Sequence, residues 1–383
     1  MKIKYNLDLI LLYIIIIINI SVFSLIELND DIILICNLLF IVYIGVKYFR
    51  QKTQSSFRFK YVILFSVLLI IISAYQSFVL YNQSFWLGVR PQRHFFIALL
   101  LYFPINKLLG VDIISKDDII KMVYRIALIQ LVIQMAYYIS GGSLEFIKLS
   151  YDYRYDGIRL RANSCLINLF FVMTVANFIN GKNRVKNLIY SIINLVYVMF
   201  MLKTRLLMLS YFGVLIVAFI IWKRNVALKL IALFILVGII PVIINTEIFQ
   251  NTLEGILEDN PNDIRSVGKS YYKEQLKKNP ILGRGYINTE WEPAYNAAGM
   301  NREIYLVDNG LIGFIFVFGT IGLIWFIIWF VKLFKYRISS FEETKRLYVY
   351  FVLGTYWNFI TKYCLVVMVE NGSYSINIDI CNA

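Results

Sequence analysis

Two basic residues lie inside a long apolar run, a place where charged side chains are rare and usually functional. Between residues 188 and 222 nearly every residue is apolar or aromatic, yet residues 201–208 read MLKTRLLM. An unpaired guanidinium among apolar residues is costly, so Arg205 is expected to face water, a lipid headgroup or an anion. Lys203 belongs to the same turn. For both side chains the alternative is that they only extend to the headgroups.

A second group of cations lies in residues 151–164, which read YDYRYDGIRLRANS. This segment places Arg154, Arg159 and Arg161 among tyrosines. Arginine forks match the geometry of phosphate oxygens, and we expect the tyrosines to hydrogen-bond to hydroxyl groups or pack on sugar rings. The pattern therefore favours a ligand that combines phosphate and sugar. The alternative is that Arg161 anchors a helix at the headgroups and that the aspartates of the segment form surface ion pairs with the arginines.

Two further candidates lie in the C-terminal half of the chain. Arg284 stands between two glycines in NPILGRGY, which either shape a turn or let the backbone approach a ligand closely. Asp308 stands at the start of an apolar stretch in YLVDNGLIGFIF. Its carboxylate is either stabilised by a helix N-terminus or acts as a general base. Glu303 is a second candidate for the base.

The elements that must position these residues are predicted to be membrane-spanning helices. The chain of 383 residues is 59% hydrophobic and 16% charged, and its mean hydropathy is +0.67. A chain of this composition is too apolar to be a soluble domain of this length. The apolar stretches run for about 18 to 22 residues and match a hydrocarbon core about 30 Å thick. Alternation with a period of two is absent, so the spans are predicted to be helices.

We therefore predict an all-α fold, a polytopic integral membrane bundle of about eleven transmembrane helices. Residues 1–383 form one membrane domain, with a large outer loop at 246–304. The predicted spans are 7–26, 31–48, 61–80, 94–110, 121–140, 162–180, 188–202, 206–222, 226–245, 305–331 and 347–369. Most Lys and Arg residues between spans fall on one side, which places the N-terminus in the cytoplasm. This asymmetry accounts for much of the net charge of +14, so no nucleic-acid partner is predicted.

The chain lacks the sequence motifs of several other kinds of functional site. The chain has no GxxxxGK[ST] motif for ATP, no HExxH motif and no glycine-rich dinucleotide loop. Its one histidine, His94, is interpreted as an interfacial residue. The chain therefore lacks the histidines that metal sites and histidine-based catalytic triads usually contain. The four cysteines are scattered without metal or redox spacing. Neither a metal nor a cofactor is predicted.

The order of these features resembles the O-antigen polymerase and O-antigen ligase superfamily of bacterial envelope polysaccharide assembly. The resemblance rests on the layout, on KTR at the start of a span, on NPILGRGY in the large loop and on YLVDNGLIGFIFVFGTIGLI after it. It implies a metal-independent glycosyltransferase in the bacterial inner membrane, with a glycan on undecaprenyl diphosphate as donor. The implied activity is polymerisation of repeat units into O-antigen, capsule or exopolysaccharide. A chain-length regulator and a flippase of the same pathway are the implied protein partners.

The resemblance also implies roles for individual residues. Arg205 and Arg284 would stabilise the diphosphate leaving group, and Asp308 would deprotonate the acceptor hydroxyl. The expected substrate-binding residues are Arg154, Arg159, Arg161, Lys203, Arg302 and Tyr305. Ligases of the group commonly carry His-Asn where this chain has Asp308-Asn309, which favours a polymerase. A ligase that transfers polymer to lipid A core and an exporter of lipid-linked oligosaccharide are the alternatives.

Overall fold

The computed structural model describes residues 7–26, 28–52, 59–92, 99–154, 157–221, 264–298 and 310–335. This part of the chain is mostly helical. Its helices are α1 (Leu7–Asn19), α2 (Asp30–Lys47), α3 (Lys60–Tyr81), α4 (Phe85–Val89), α5 (Tyr102–Gly110), α6 (Lys116–Ile139), α7 (Cys165–Ile179), α8 (Arg184–Val196), α9 (Arg205–Ile221), α10 (Ile264–Lys278), α11 (Ala294–Ala298) and α12 (Gly310–Lys335). A 3₁₀ turn covers Arg90–Gln92, and a π-helical turn, Tyr197–Leu202, continues α8. The strands β1 (Ser150–Arg154) and β2 (Gly157–Arg161) form an antiparallel hairpin.

Four helical stretches of the described residues are long and apolar enough to cross a membrane. They are Lys60–Tyr81, Asp117–Ile139, Arg184–Leu202 and Gly310–Trp329. Many apolar side chains on these and neighbouring helices face outward, for example Leu39, Val46 and Tyr61, which are all more than 60% exposed. An apolar exterior of this kind is compatible with a helical membrane protein. The predicted spans 226–245 and 347–369 lie outside the described residues.

Polar residues set where several helices begin. The side chain of Ser115 accepts a hydrogen bond from the backbone N–H of Asp118, and the Asp118 carboxylate in turn accepts one from the Ser115 backbone N–H. This capping box fixes the start of α6. Asn29 caps α2 in a simpler way, by accepting a hydrogen bond from the N–H of Asp31.

Helix α7 lies at the centre of the bundle. All residues from Leu166 to Ala176 are buried, so this helix is enclosed on every side. The rings of Phe171 on α7 and Tyr211 on α9 stack with their centroids 3.9 Å apart. The hairpin precedes α7 in the chain and α8 follows it, so the buried position of α7 fixes where both of these elements begin or end.

Contacts between helix ends define two ends of the bundle. At the first end, Lys47 at the end of α2 donates to the carboxylate of Asp8 near the start of α1, with a distance of 2.7 Å. At the second end, the N–H of Lys148 donates to the carbonyl of Ser24 at 2.6 Å. Following the chain from helix to helix, the described parts of the segments 81–93, 141–161 and 203–205 all lie at the second end. These are the segments that the charge distribution predicts to be outer loops.

Two of the differences from the prediction lie in the N-terminal half of the chain. The expected span 7–26 is not one helix, because α1 ends at Asn19 and the chain makes a left-handed turn from Ser21 to Ser24, with four consecutive positive φ angles. The segment 151–164 contains the β-hairpin, so the fold is not purely α-helical. The predicted stretches 188–202 and 206–222 correspond to α8 with its π-helical turn and to α9.

Candidate functional site

The hairpin brings one of the predicted arginines to the basic turn at residues 203–205. Arg159 lies on β2 opposite Asp152 on β1. Its Nε donates a hydrogen bond to the carbonyl of Leu202, the last residue of the π-helical turn, at 3.2 Å. Two basic segments that are separated by 43 positions in the sequence therefore meet at the second end of the bundle.

The basic turn itself has a sharp backbone geometry. Lys203 ends the π-helical turn with a left-handed conformation, φ +45°, and it is only 5% exposed. The carbonyl of Thr204 then accepts the hydrogen bond from the N–H of Met208 that begins the next helix. Arg205 is the first residue of α9. A lysine at a helix C-terminus is stabilised by the carbonyl ends of the helix, which helps to hold this cation in place.

Two of the three arginines of the hairpin, Arg159 and Arg161, have different surroundings. Arg161 is largely exposed and pairs with Asp152, with Nη2 and Oδ2 2.9 Å apart. Arg159 is closer to the bundle and lies 3.7 Å from the same carboxylate. For Arg161 the surface ion pair, which was one of the two interpretations of the sequence, is therefore present. Arg154 is the last residue of β1.

A buried polar cluster lies beneath the hairpin. Gln130 and Gln134, one turn apart on α6, both donate to the carbonyl of Asn163 just after β2, at 2.8 and 3.2 Å. The hydroxyl of Tyr197, the first residue of the π-helical turn, donates to the side chain of Gln134. Gln130, Gln134 and Tyr197 are all fully buried. The cluster links α6, the end of the hairpin and the π-helical turn, so it fixes the position of the basic turn.

This polar cluster was not predicted from the sequence. The signal was present, because two glutamines spaced by four residues in an apolar helix place two amides on one helix face. Polar residues inside a predicted span usually face the interior of a bundle. Asn168 on α7 is another polar residue of this kind, and its side-chain carbonyl accepts a hydrogen bond from the hydroxyl of Tyr211 at 2.9 Å.

The Arg284 segment docks into a break in the last described helix. Helix α12 is interrupted at Gly319, where φ is 66° and ψ is −165°. The carbonyls of Phe316 and Val317, just before the break, accept hydrogen bonds from the N–H groups of Arg284 and Gly285 at 2.6 and 3.2 Å. Backbone groups that the broken helix does not pair internally are thus satisfied by the loop.

The pairing is reciprocal on the other side of the break. The N–H groups of Thr320 and Ile321 donate to the carbonyls of Pro280 and Ile281 at 2.9 and 3.2 Å. Four backbone hydrogen bonds therefore join the loop to the helix. The glycines permit this approach, because a Cβ atom at Gly319 would lie 2.1 Å from the carbonyl oxygen of Ile281. One at Gly285 would lie 2.3 Å from a backbone oxygen of α3.

The side chain of Arg284 lies in an aromatic cleft between α3 and the loop. Its Nε donates to the hydroxyl of Tyr81 at 2.8 Å, and its guanidinium carbon is 5.1 Å from the centre of the Tyr81 ring. The ring of Trp291 is 6.4 Å from that of Tyr81. Arg284 is half-buried, and none of the carboxylates in the described part of the chain pairs with it. A half-buried guanidinium beside aromatic rings is well suited to bind an anionic group on a sugar-containing ligand.

Polar contacts with the segment after α3 hold the loop in this position. Gln83 donates from its amide nitrogen to the carbonyl of Tyr286 at 3.0 Å and accepts from the N–H of Asn288 at 2.8 Å. Arg90 and Glu290 form an ion pair with a distance of 2.7 Å. Burial raises the pKa of the Tyr286 phenol, so this side chain is neutral at physiological pH.

Several of the predicted site residues fall outside these two groups of contacts. Asp308, Arg302 and Tyr305 lie outside the described residues, as do Glu303 and His94. The two groups that are described, one around Arg159 and the basic turn and one around Arg284, are built on different helices at the same end of the bundle. Within the described ranges, no three His, Cys, Asp or Glu side chains are grouped as metal ligands would be.

No protein-family model, curated protein or solved structure matches this chain.

Proposed function

We propose that this chain is a multi-pass membrane polymerase of the bacterial inner membrane, with its N-terminus in the cytoplasm. It joins oligosaccharide repeat units that are carried on undecaprenyl diphosphate. The observation that carries the proposal is the hydrogen bond from Arg159 to the carbonyl of Leu202, the residue directly before the turn that contains Lys203 and Arg205. It gathers cations from distant parts of the sequence at one end of an apolar bundle, where a lipid-linked diphosphate would present its charge.

The proposed reaction is a glycosyl transfer without a metal. A hydroxyl of the acceptor glycan attacks the anomeric carbon of the donor, a new C–O bond forms, and the bond from that carbon to the lipid diphosphate breaks. The hydroxyl proton passes to Asp308, the proposed general base. The guanidinium groups of Arg205, Arg284 and Arg159 stabilise the negative charge that the diphosphate gains as it leaves.

The aromatic cleft around Arg284 supports a role for the large loop in holding the glycan. Tyr81 and Trp291 provide flat apolar surfaces, and the Tyr81 hydroxyl and the Arg284 guanidinium, which lies over the Tyr81 ring, provide polar groups beside them. Sugar rings combine an apolar face with hydroxyl groups, so this mixture suits them. The apolar exterior of the bundle supports entry of the lipid tail between helices.

The test is a gel profile of envelope glycans from a strain that lacks this gene and carries the wild-type chain or a variant. For Arg159→Ala, Arg205→Ala and Arg284→Ala we expect the ladder to collapse to single repeats at normal protein level, because loss of one oxyanion-stabilising donor slows such reactions about a hundredfold or more. Lys148→Ala is the matched control. It removes one positive charge from the same loop, and its exposed side chain leaves the backbone hydrogen bond to Ser24 intact.

The same strains distinguish the alternatives once the lipid-linked glycans are also extracted and their side of the membrane is assayed. Long polymer that stays on the lipid carrier would indicate a ligase. Lipid-linked repeats that accumulate on the cytoplasmic side would indicate an exporter. A ladder that is unchanged in the deletion strain would contradict all three functions.

A further inference from the structure

At the first end of the bundle, opposite the hairpin, the ends of α6, α7 and α8 enclose a half-open cavity of about 380 Å³. Its charged lining consists of three lysines and one aspartate, namely Lys121, Lys182, Lys186 and Asp117. The cavity is large enough for a phosphate group together with the polar atoms attached to it. It is separate from the candidate site at the second end, and the proposed polymerase reaction does not use it.

The floor of the cavity is a fixed hydrogen-bond network. The amide of Asn177 donates to the hydroxyl of Tyr124 at 2.7 Å, and that hydroxyl donates to the side-chain oxygen of Asn187 at 3.2 Å. The amide of Asn187 donates to the carbonyl of Lys182 at 2.7 Å. The network joins α6, α7 and α8 and holds the turn before α8 in place. Lys182 and Lys186 therefore lie on a backbone whose position is fixed by this network.

The lysines give the cavity an excess of positive charge. Lys182 and Lys186 make no ion pair with a carboxylate within the part of the chain that the structure describes. The ammonium group of Lys186 lies 5.6 Å from the centre of the Tyr190 ring. With three lysines and one aspartate around it, the cavity attracts an anion.

The cavity lies at a boundary between polar and apolar surface. Ile120 and Met173 form an apolar part of its wall. On α8, Ile189 lies three residues after Lys186, on the neighbouring part of the helix surface, and is 49% exposed, as expected for a side chain that contacts acyl chains. A ligand with a phosphate head and an apolar tail matches both surfaces, whereas a soluble phosphate would use only the lysines.

We infer that this cavity binds the phosphate of an anionic phospholipid headgroup, with Lys182 and Lys186 as its principal contacts. Basic cavities between transmembrane helices on the cytoplasmic side are a general means of anionic lipid recognition. The inference rests on the membrane orientation given under Proposed function, but not on the polymerase activity. Binding is therefore measured without any turnover assay, and either conclusion can fail while the other stands.

The test uses the purified full-length protein in nanodiscs that contain equal amounts of phosphatidylglycerol and phosphatidylcholine. Lipids that remain bound after release are counted by native mass spectrometry. We expect wild-type protein to retain phosphatidylglycerol in preference to phosphatidylcholine. The double variant Lys182→Gln with Lys186→Gln is expected to weaken that preference about thirtyfold, from the loss of two ammonium groups near the headgroup.

Two comparison variants and one competitor complete the design. The double variant Lys277→Gln with Lys278→Gln removes two exposed lysines from α10 and is expected to retain phosphatidylglycerol as wild type does. The double variant Lys182→Arg with Lys186→Arg is expected to preserve binding. Equal retention by the wild type and the glutamine variant would overturn the inference. Displacement of the lipid by millimolar inorganic phosphate would assign the cavity to a soluble phosphate and overturn the lipid assignment.

Discussion

Replacing Gly319 by alanine is expected to release the Arg284 segment from α12. Gly319 combines a φ of 66° with a ψ of −165°, a region that is essentially restricted to glycine. A Cβ atom there would also lie 2.1 Å from the carbonyl oxygen of Ile281 and 2.4 Å from the nitrogen of Gly283. Both are backbone atoms of the docked segment, so neither can move aside without breaking the pairing.

The size of the effect follows from the hydrogen bonds at the break. Four backbone hydrogen bonds join the segment to the helix, and each contributes about 0.5–1.5 kcal/mol net. An alanine held in the native conformation would add strain of about 1–3 kcal/mol. Alanine instead favours a continuous helix, in which the carbonyls of Phe316 and Val317 pair internally. Docking is therefore expected to weaken by about 3 kcal/mol or more, which is at least a hundredfold in the undocked population.

A cysteine at position 287 reports this change. Ile287 is 4% exposed in the docked loop, so Ile287→Cys is expected to resist a membrane-impermeant maleimide in a chain whose four native cysteines are replaced. Adding Gly319→Ala should accelerate labelling. Gly213→Ala, at a helical glycine with no atom within 4 Å of the added Cβ, is the matched control. If Gly319→Ala folds and leaves position 287 as protected as before, then the break does not hold the loop.

Three further outcomes are expected. Lys47→Ala leaves the carboxylate of Asp8 buried without its cationic partner, so we expect a loss of about 1–3 kcal/mol of stability in a thermal unfolding assay in detergent. Tyr197→Phe leaves a buried side-chain oxygen of Gln134 without this donor and should cost about 1–3 kcal/mol in the same assay. If the chain is a polymerase, the reconstituted protein should extend lipid-linked repeats equally well in EDTA, because guanidinium groups rather than a metal stabilise the leaving group; a requirement for added Mg²⁺ would contradict this mechanism.

The helices were predictable where an apolar stretch of sufficient length is bounded by polar residues. The expected spans 31–48, 61–80 and 121–140 fall on α2, α3 and α6 to within a few residues. In these cases length, hydropathy and capping residues all act locally, so the sequence contains the required information.

The hairpin and the break in α12 were not predicted, for different reasons. The hairpin had a local signal, since Asp-Gly at positions 156 and 157 is a common hairpin turn pair. The break at Gly319 had none, because GTIG inside an apolar stretch is equally consistent with close helix packing. The break is stable only because residues 280–285 satisfy its backbone groups, and that partner is distant in the sequence.

The candidate site was also only partly predictable from the local sequence. The sequence indicated which residues could bind an anion, namely the arginines of the hairpin, the basic turn and Arg284. It did not indicate that Arg159 reaches Leu202 while Arg161 pairs with Asp152 at the surface. That difference follows from the alignment of the two strands and from the polar cluster beneath them.

The π-helical turn at Tyr197–Leu202 also determines the direction in which the basic turn faces. A π-helical turn contains one more residue than the α-helical turn it replaces, and its hydrogen bonds close over five residues, as in the bond from the Lys203 N–H to the carbonyl of Val198. Because successive residues of an α-helix are about 100° apart around the axis, deleting one residue here would turn the Lys203 backbone by about that angle relative to the rest of α8. A single added residue in an otherwise α-helical stretch thus sets the angle at which the chain leaves α8 and enters the basic turn.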